Sequence, residues 1–465
     1  MTDANIDAGK PTYSPSLRTA LVLNGAGTAG AYHAGVLHAL NEAGVRIDLV
    51  AGRGMGAVSS MFAAVDGGAK LWEEKGIWRG GLTRQFYRWR PILRVTGYLF
   101  GMAVATVLLP LVLLVAAALV YPIVLSLQMI EGGSGVALFD GYSAQLLAMF
   151  DSISLPIIFP WLVVFLLLLV LALFAVTVLR SLRSRRRARG AAWWQILVVP
   201  LTATGVLDRF TNALWELIRG VSVTDRPIGR EISNEYTELL SDNLGQPGFR
   251  ELIVTVHDVD IRRDLVFALL AEPYREGFFN STDERGRRAS ETWDLAGTAR
   301  GHALDALAAS VSLPVVTEPH LIAFAPDSQW RGEVHRVADR VDAITRLLEE
   351  VLNAGVEQVI VVSTTAELSG PHTLSAGRRD ARGRVGEYLG AIEGASVRDA
   401  VAARVGHFQR LFLIRPAHNP IGPLDFSGAY DDRSDRQQSV VELVDQGYQD
   451  AYRQFINPVI AISGE

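Results

Sequence analysis

The run of apolar and polar positions divides the chain into three zones. From residue 17 to 80, short apolar runs alternate with glycine-rich turns. Leu17–Asn24 (LRTALVLN) predicts a strand, Ala31–Ala43 a helix stopped by Gly44, Ile47–Ala51 a second strand, and Ala57 lies at the start of a second helix. Strand, glycine turn, helix, repeated twice, is the rhythm of a parallel sheet. The zone from 81 to 220 differs in kind: Val95–Ile130 carries no charge over 36 residues and Ser152–Leu179 none over 28. About 20 helical residues cross a bilayer core, so both predict transmembrane helices, at about 95–127 and 156–179. The first is too long for one straight crossing; either Pro110 and Pro122 kink it or its last turns lie in the far interface. From 221 to 465 the mixed pattern returns, with apolar strands in ELIVTVHDVD (251–260) and VEQVIVVS (356–363).

Charge gives the hairpin a direction. Arg84, Arg88, Arg90 and Arg94 precede the first stretch, and Arg180, Arg183, Arg185, Arg186, Arg187 and Arg189 follow the second. The connecting 131–151 segment has Glu131, Asp140 and Asp151 but no Lys or Arg. The positive-inside rule then puts both flanks in the cytoplasm and the connecting loop outside. Arg183, Arg185, Arg186 and Arg187 are candidate contacts for anionic lipid headgroups, with a purely topological role the equal alternative. Farther on, Trp193, Trp194 and Trp215 lie among apolar residues and predict an interfacial helix at about 191–217. Asp208 and Arg209 argue against a third span there.

Composition narrows the classes. The hydrophobic set is 49% and charged residues 20% of 465, which excludes a disordered or collagen-like chain. Net charge of −5 gives no basis for nucleic-acid binding by bulk electrostatics. With no cysteine there is no disulfide, thiolate metal site or cysteine nucleophile. The nine histidines show no metal-ligand spacing, so neither metal nor cofactor is expected. Residues 1–16 are polar with no apolar run and predict a disordered tail instead of a signal peptide. Arg378–Arg384 (RRDARGR) predicts an exposed loop.

Two glycine turns carry the candidate chemistry. Gly25-Ala26-Gly27-Thr28-Ala29-Gly30 fits GxGxxG, but a dinucleotide fingerprint wants an acidic residue closing the next strand, and Asp48 opens it. Read with the second turn, Gly52-Arg53-Gly54-Met55-Gly56, the first becomes a loop of backbone amides beside a strand-to-helix elbow. Both segments, LVLNGAGTAGAYHAGVLHALNEAG and IDLVAGRGMGAVSS, resemble the opening of patatin-like phospholipases. LAASVSLPVVTEP (307–319) and DFSGAYDDRSDR…LVDQGYQDAY are similar to later segments of that family, the last to the ending of bacterial members. The resemblance implies an α/β fold, a three-layer α/β/α sandwich with a mostly parallel sheet, here interrupted by an inserted transmembrane hairpin. Its parts would be 17–80 and 221–465, with 81–220 inserted. It also implies an oxyanion loop at Gly25, Gly27 and Gly30 and a Ser–Asp dyad.

The dyad is where this chain departs. The elbow has Gly54 where the nucleophilic serine belongs, between Gly52 and Gly56. After the Pro319 segment the best alignment puts Arg331-Gly332-Glu333 where the family's DGG belongs, leaving Asp327 and Glu333 as the nearby carboxylates. Asp66-Gly67-Gly68 spells DGG but falls at the end of the helix after the elbow, as a helix stop. The expectation is a membrane-anchored pseudoenzyme of the bacterial cytoplasmic membrane, a lipid-binding or scaffolding subunit with membrane lipids and a protein as partners. The alternative is an active lipid acyl hydrolase with non-standard catalytic residues.

Overall fold

Alternation of side chains along the strands builds two cores, one on each face of a sheet. The computed structural model describes residues 12–131, 134–150, 158–183, 199–220, 222, 225–281, 288–326, 328, 330–366 and 381–458. The sheet has nine strands: β1 (Thr19–Gly25), β2 (Leu49–Gly54), β3 (Glu251–Asp258), β4 (Arg263–Leu269), β5 (Ser290–Asp294), β6 (His320–Ala323), β7 (Val334–Ala338), β8 (Gln358–Ser363) and β9 (Arg410–Ile414). The spatial order is β9-β8-β1-β2-β3-β4-β5, parallel from β9 to β3, with β4 antiparallel to β3. The hairpin β6–β7 joins through β7, which runs antiparallel along the end of β3. The mixed α/β fold and mostly parallel sheet match the expectation.

The two-residue period sorts the strands cleanly. Leu21, Leu23, Val50, Leu252, Val254, Ile360 and Val362 enter one core, with helix α1 (Ala29–Glu42) and helix α2 (Met55–Ala64). Ala20, Val22, Leu49, Ala51, Ile253, Val359 and Val361 enter the other, with residues of the helices Ile344–Asn353 and Ala381–Arg404. Helix α2 stops at Ala64, and Asp66 follows in the left-handed region at φ 54°, so Asp66-Gly67-Gly68 is a turn, as expected. The first described residues are docked, not loose: the Ser14 N–H donates to Gln358 Oε1 at 3.1 Å, and the Tyr13 hydroxyl to the Arg46 carbonyl at 2.8 Å. Residues 1–11 of the expected tail lie outside the described set.

The chain separates into two compact units, Met1–Arg88 with Leu201–Glu465, and Trp89–Pro200. The inserted unit is thus shorter than the expected 81–220. The difference lies in the helix expected at the membrane surface over 191–217. Residues 191–198 are outside the described set, and the helix itself is Thr204–Arg219, packed by one face into the α/β unit. Val206, Phe210, Ala213 and Leu214 form its inward stripe, and the Phe210 ring lies 5.9, 6.1 and 5.6 Å from those of Phe62, Trp78 and Phe86. A surface-seeking helix and a core helix share one periodicity, so the pattern alone did not separate them.

In the other unit, one helix runs unbroken from Pro91 to Glu131, past both prolines, and another from Ile158 to Arg183. At 1.5 Å per residue the first is about 60 Å long, twice a bilayer core of about 30 Å. The expected loop 131–151 is largely a helix, Ser134–Phe150. It folds back along the first: Tyr142 donates to the Leu113 carbonyl at 3.3 Å, and Phe139 meets Tyr121 at 5.0 Å. Counted over the described residues, no helix is long and apolar enough to cross a membrane. Both long helices include positions whose side chains lie outside that set. Arg185, Arg186 and Arg187 lie outside the described set as well, and so does the side chain of Arg183. The RRDARGR stretch is helical from Ala381 on.

Candidate active site

Two strand ends and two helix starts form the site. β1 ends in Gly25 and turns through the glycine loop into α1, while β2 ends in Gly54 and turns directly into α2. Gly54 has φ 56° and ψ −135°, the conformation of a sharp strand-to-helix elbow that costs about 1–3 kcal/mol for residues with a side chain. The flanking glycines are fixed by packing: a Cβ on Gly52 would meet the Gly56 carbonyl group at 2.4 Å, and one on Gly56 the Leu23 oxygen at 1.9 Å. The elbow's backbone form is therefore set by its three glycines.

The glycine loop is equally tight. A Cβ on Gly27 would sit 1.8 Å from the Pro423 oxygen, and one on Gly30 would run into Trp78 and Met55. The Thr28 amide donates to that Pro423 oxygen at 3.0 Å, and the Thr28 hydroxyl to the Gly422 oxygen at 2.9 Å. One of the loop's amides is thus already engaged within the chain.

The residue before Gly54 is Arg53. Its side chain is on the same face as Leu49 and Ala51 by the two-residue period, and it is fully buried. The guanidinium donates in three directions: Nε to Asn24 Oδ1 at 2.7 Å, Nη1 to Asp339 Oδ2 at 2.8 Å and Nη2 to Glu393 Oε2 at 2.7 Å. Neither carboxylate is exposed by more than 2%. Asp339 is also the acid nearest the elbow, its Oδ2 lying 3.0 Å from the place a Cβ on Gly54 would take. β7 puts it there: Ala338 pairs with His257 at the end of β3, and Asp339 is the next residue.

These charges act on one another. Burial pushes the Asp339 and Glu393 carboxyls up, and the Arg53 cation pulls both back down without cancelling the rise. The two carboxylates hold the Arg53 charge firmly against its own desolvation. His33 is buried against the Asn24 carbonyl at 3.2 Å, and burial, helped by Arg53, lowers it to about 3, so its ring stays neutral. Among the buried polar atoms of the described residues that lack a hydrogen-bond partner are Asn24 Nδ2, His33 Nδ1, Ser60 Oγ, Asp339 Oδ1 and Glu393 Oε1.

The expected dyad position is elsewhere. Arg331 is in the exposed turn of the β6–β7 hairpin, at φ 48°, its amide donating to the Ser328 carbonyl. Glu333 is exposed and bonds His335, and Asp327 lies outside the described set. The acid beside the elbow comes eight residues after Arg331, in ADRVD (338–342), a reading that a search for DGG passes over. Arg53 itself held a signal: a charge at the end of an apolar central strand must find buried partners.

The described residues thus form a mixed α/β protein with a mostly parallel sheet, its glycine loop and tight elbow at adjacent strand ends. Residues 21–108 match the family model for patatin-like phospholipase. No curated protein matches the chain. The solved structure of VipD from Legionella pneumophila aligns over 98% of this chain and 69% of its own at 12% identity, with a TM-score of 0.29.

Proposed function

We propose that this chain is a membrane-anchored patatin-like protein that has given up acyl transfer and works as a lipid-binding or scaffolding subunit. The observation that carries this reading is Gly54, an elbow residue without a nucleophile, next to an aspartate held by a buried arginine. An acyl-enzyme needs a side-chain hydroxyl or thiol at that point. Ser59 and Ser60 are buried in α2, beyond the elbow. The purified protein in mild detergent should ignore fluorophosphonate probes and leave p-nitrophenyl esters intact. Ester hydrolysis that disappears in Asp339→Asn would replace the reading with an active hydrolase that uses non-standard groups.

Anchoring is supported by the uncharged lengths of sequence and by what the helical unit exposes. Tyr98, Phe100, Leu119, Ile123, Phe165 and Leu171 are all at least 60% exposed there, an apolar surface suited to lipid. The arginine asymmetry places the α/β portions in the cytoplasm and the Ser134–Phe150 helix outside. The arginines at 183 and 185–187 then meet the anionic cytoplasmic leaflet. A single cysteine at Ser143 should react with an impermeant maleimide on intact cells, and one at Ser281 only after permeabilisation. The reverse pattern would invert the topology.

A further inference from the structure

We infer that the glycine-loop site is a receptor for an alkyl carboxylate, and that Glu393 is its resident internal occupant. The inference rests on the reading of the site as non-catalytic, which leaves it free for binding. Glu393 is in the middle of the Ala381–Arg404 helix, on a stripe with the buried Leu389, Val397 and Ala400. A glutamate in such a stripe needs a partner, and it has half of one. Oε2 accepts from Arg53 Nη2, whereas Oε1 makes no well-aligned hydrogen bond, is drawn toward the Ala26 amide of the glycine loop, and lies 3.3 Å from the position of a Cβ on Gly25. A carboxylate there faces the arginine on one side and the loop leading to the α1 N-terminus on the other, the surroundings that favour an anion.

The occupant's shape names the ligand. Val385, Leu389 and Glu393 follow one another at a spacing of four, so one face of the helix carries an apolar tail ending in a carboxylate. Val385 packs on a small apolar cluster of Ala26, Leu201, Leu313, Val316 and Leu424, directly beside the loop. A helix that swings out uncovers an anion subsite and an apolar slot together. The arginine favours a single negative charge in that subsite, because its Nη1 is already committed to Asp339. A phosphate dianion would put too much charge next to that buried aspartate.

Octanoate, with octanol and inorganic phosphate as contrasts, tests this on the full-length protein in mild detergent by calorimetry and thermal shift. Glu393→Ala should bind octanoate at least about tenfold more tightly than wild type, a difference of about 1.4 kcal/mol. Acetate should raise its melting midpoint and not that of wild type. Glu393→Gln keeps the occupant's shape without its charge and should bind octanoate more tightly than wild type but less tightly than Glu393→Ala. Leu389→Ala keeps the carboxylate but loosens the helix; it should gain affinity too, and serves if Glu393→Ala does not fold. Equal octanoate affinity in wild type, Glu393→Ala and Leu389→Ala would overturn the inference. So would octanol or phosphate binding Glu393→Ala as well as octanoate does. Fluorophosphonate labelling of the same preparations reports on the pseudoenzyme reading separately, since it does not depend on how octanoate ranks the variants.

Discussion

Replacing Arg53 by methionine should cost about 3–5 kcal/mol of folding stability at neutral pH, read as a shift in denaturant midpoint at unchanged slope. Methionine keeps much of the volume but leaves Asp339 and Glu393 as two buried carboxylates with no cation. Coulombic attraction inside the ion cluster does not make it a strong net stabiliser, because three charged groups were first taken out of water. Removing one partner is a different matter, since the desolvation already spent on the others is no longer offset. The triple replacement Arg53→Met/Asp339→Asn/Glu393→Gln should therefore recover most of the loss, and a mutant cycle over the three sites should show strong coupling. Additive effects would mean that the guanidinium acts alone.

The same cluster sets a pH dependence. Burial holds both carboxyls above their ordinary values, so the native state binds protons more readily than the unfolded chain. Their contribution to stability is fully present below the ordinary carboxylate range near about 4 and is lost as pH rises through the raised native values. Without Arg53 those native values rise further. The penalty of Arg53→Met should accordingly shrink on acidification, and denaturation profiles taken from neutral pH downward would show it.

Much of the fold was legible because short-range pattern and long-range packing agree. β1, β2, β3 and β8 fall where the apolar runs predict strands, and in the structure the two faces of each enter the two cores. The glycines of both turns were legible as well, since only a residue without Cβ fits against the Leu23 and Pro423 oxygens. The charge cluster was not legible. Asn24, Arg53, Asp339 and Glu393 come from four elements far apart in sequence, and nothing local marks them as partners. Asp339, the acid beside the elbow, follows β7 and is itself followed by Arg340 and Val341, so a search for an aspartate before two glycines passes over it. The Thr204–Arg219 helix failed for a different reason: amphipathicity says that one face is apolar but not whether lipid or protein covers it.

Gly54→Ser alone should leave the protein inert, even though Asp339 is already beside the elbow. The new Cβ would sit 2.7 Å from the Gly25 oxygen and 3.0 Å from Asp339 Oδ2, so the backbone must first yield. The hydroxyl would then face a carboxylate whose nearer oxygen accepts from Arg53. A base tied to a cation takes up a proton poorly, and a dyad works only as a unit. Release of Asp339 from the arginine is the missing step, and Arg53→Thr/Gly54→Ser/Glu393→Gln supplies it without stranding the second carboxylate. That variant should gain fluorophosphonate labelling and ester hydrolysis over Gly54→Ser by about 10²–10⁴-fold, the usual reach of a positioned base. Adding Asp339→Asn should abolish the gain, whereas adding Arg331→Asp should change nothing, because Arg331 lies in the exposed hairpin turn. If Arg331→Asp restores activity and Asp339→Asn has no effect, the acid of this fold has been assigned to the wrong strand end. If the triple variant folds and stays inert, more than the arginine keeps this elbow closed, and the helix that brings in Glu393 is the next element to move.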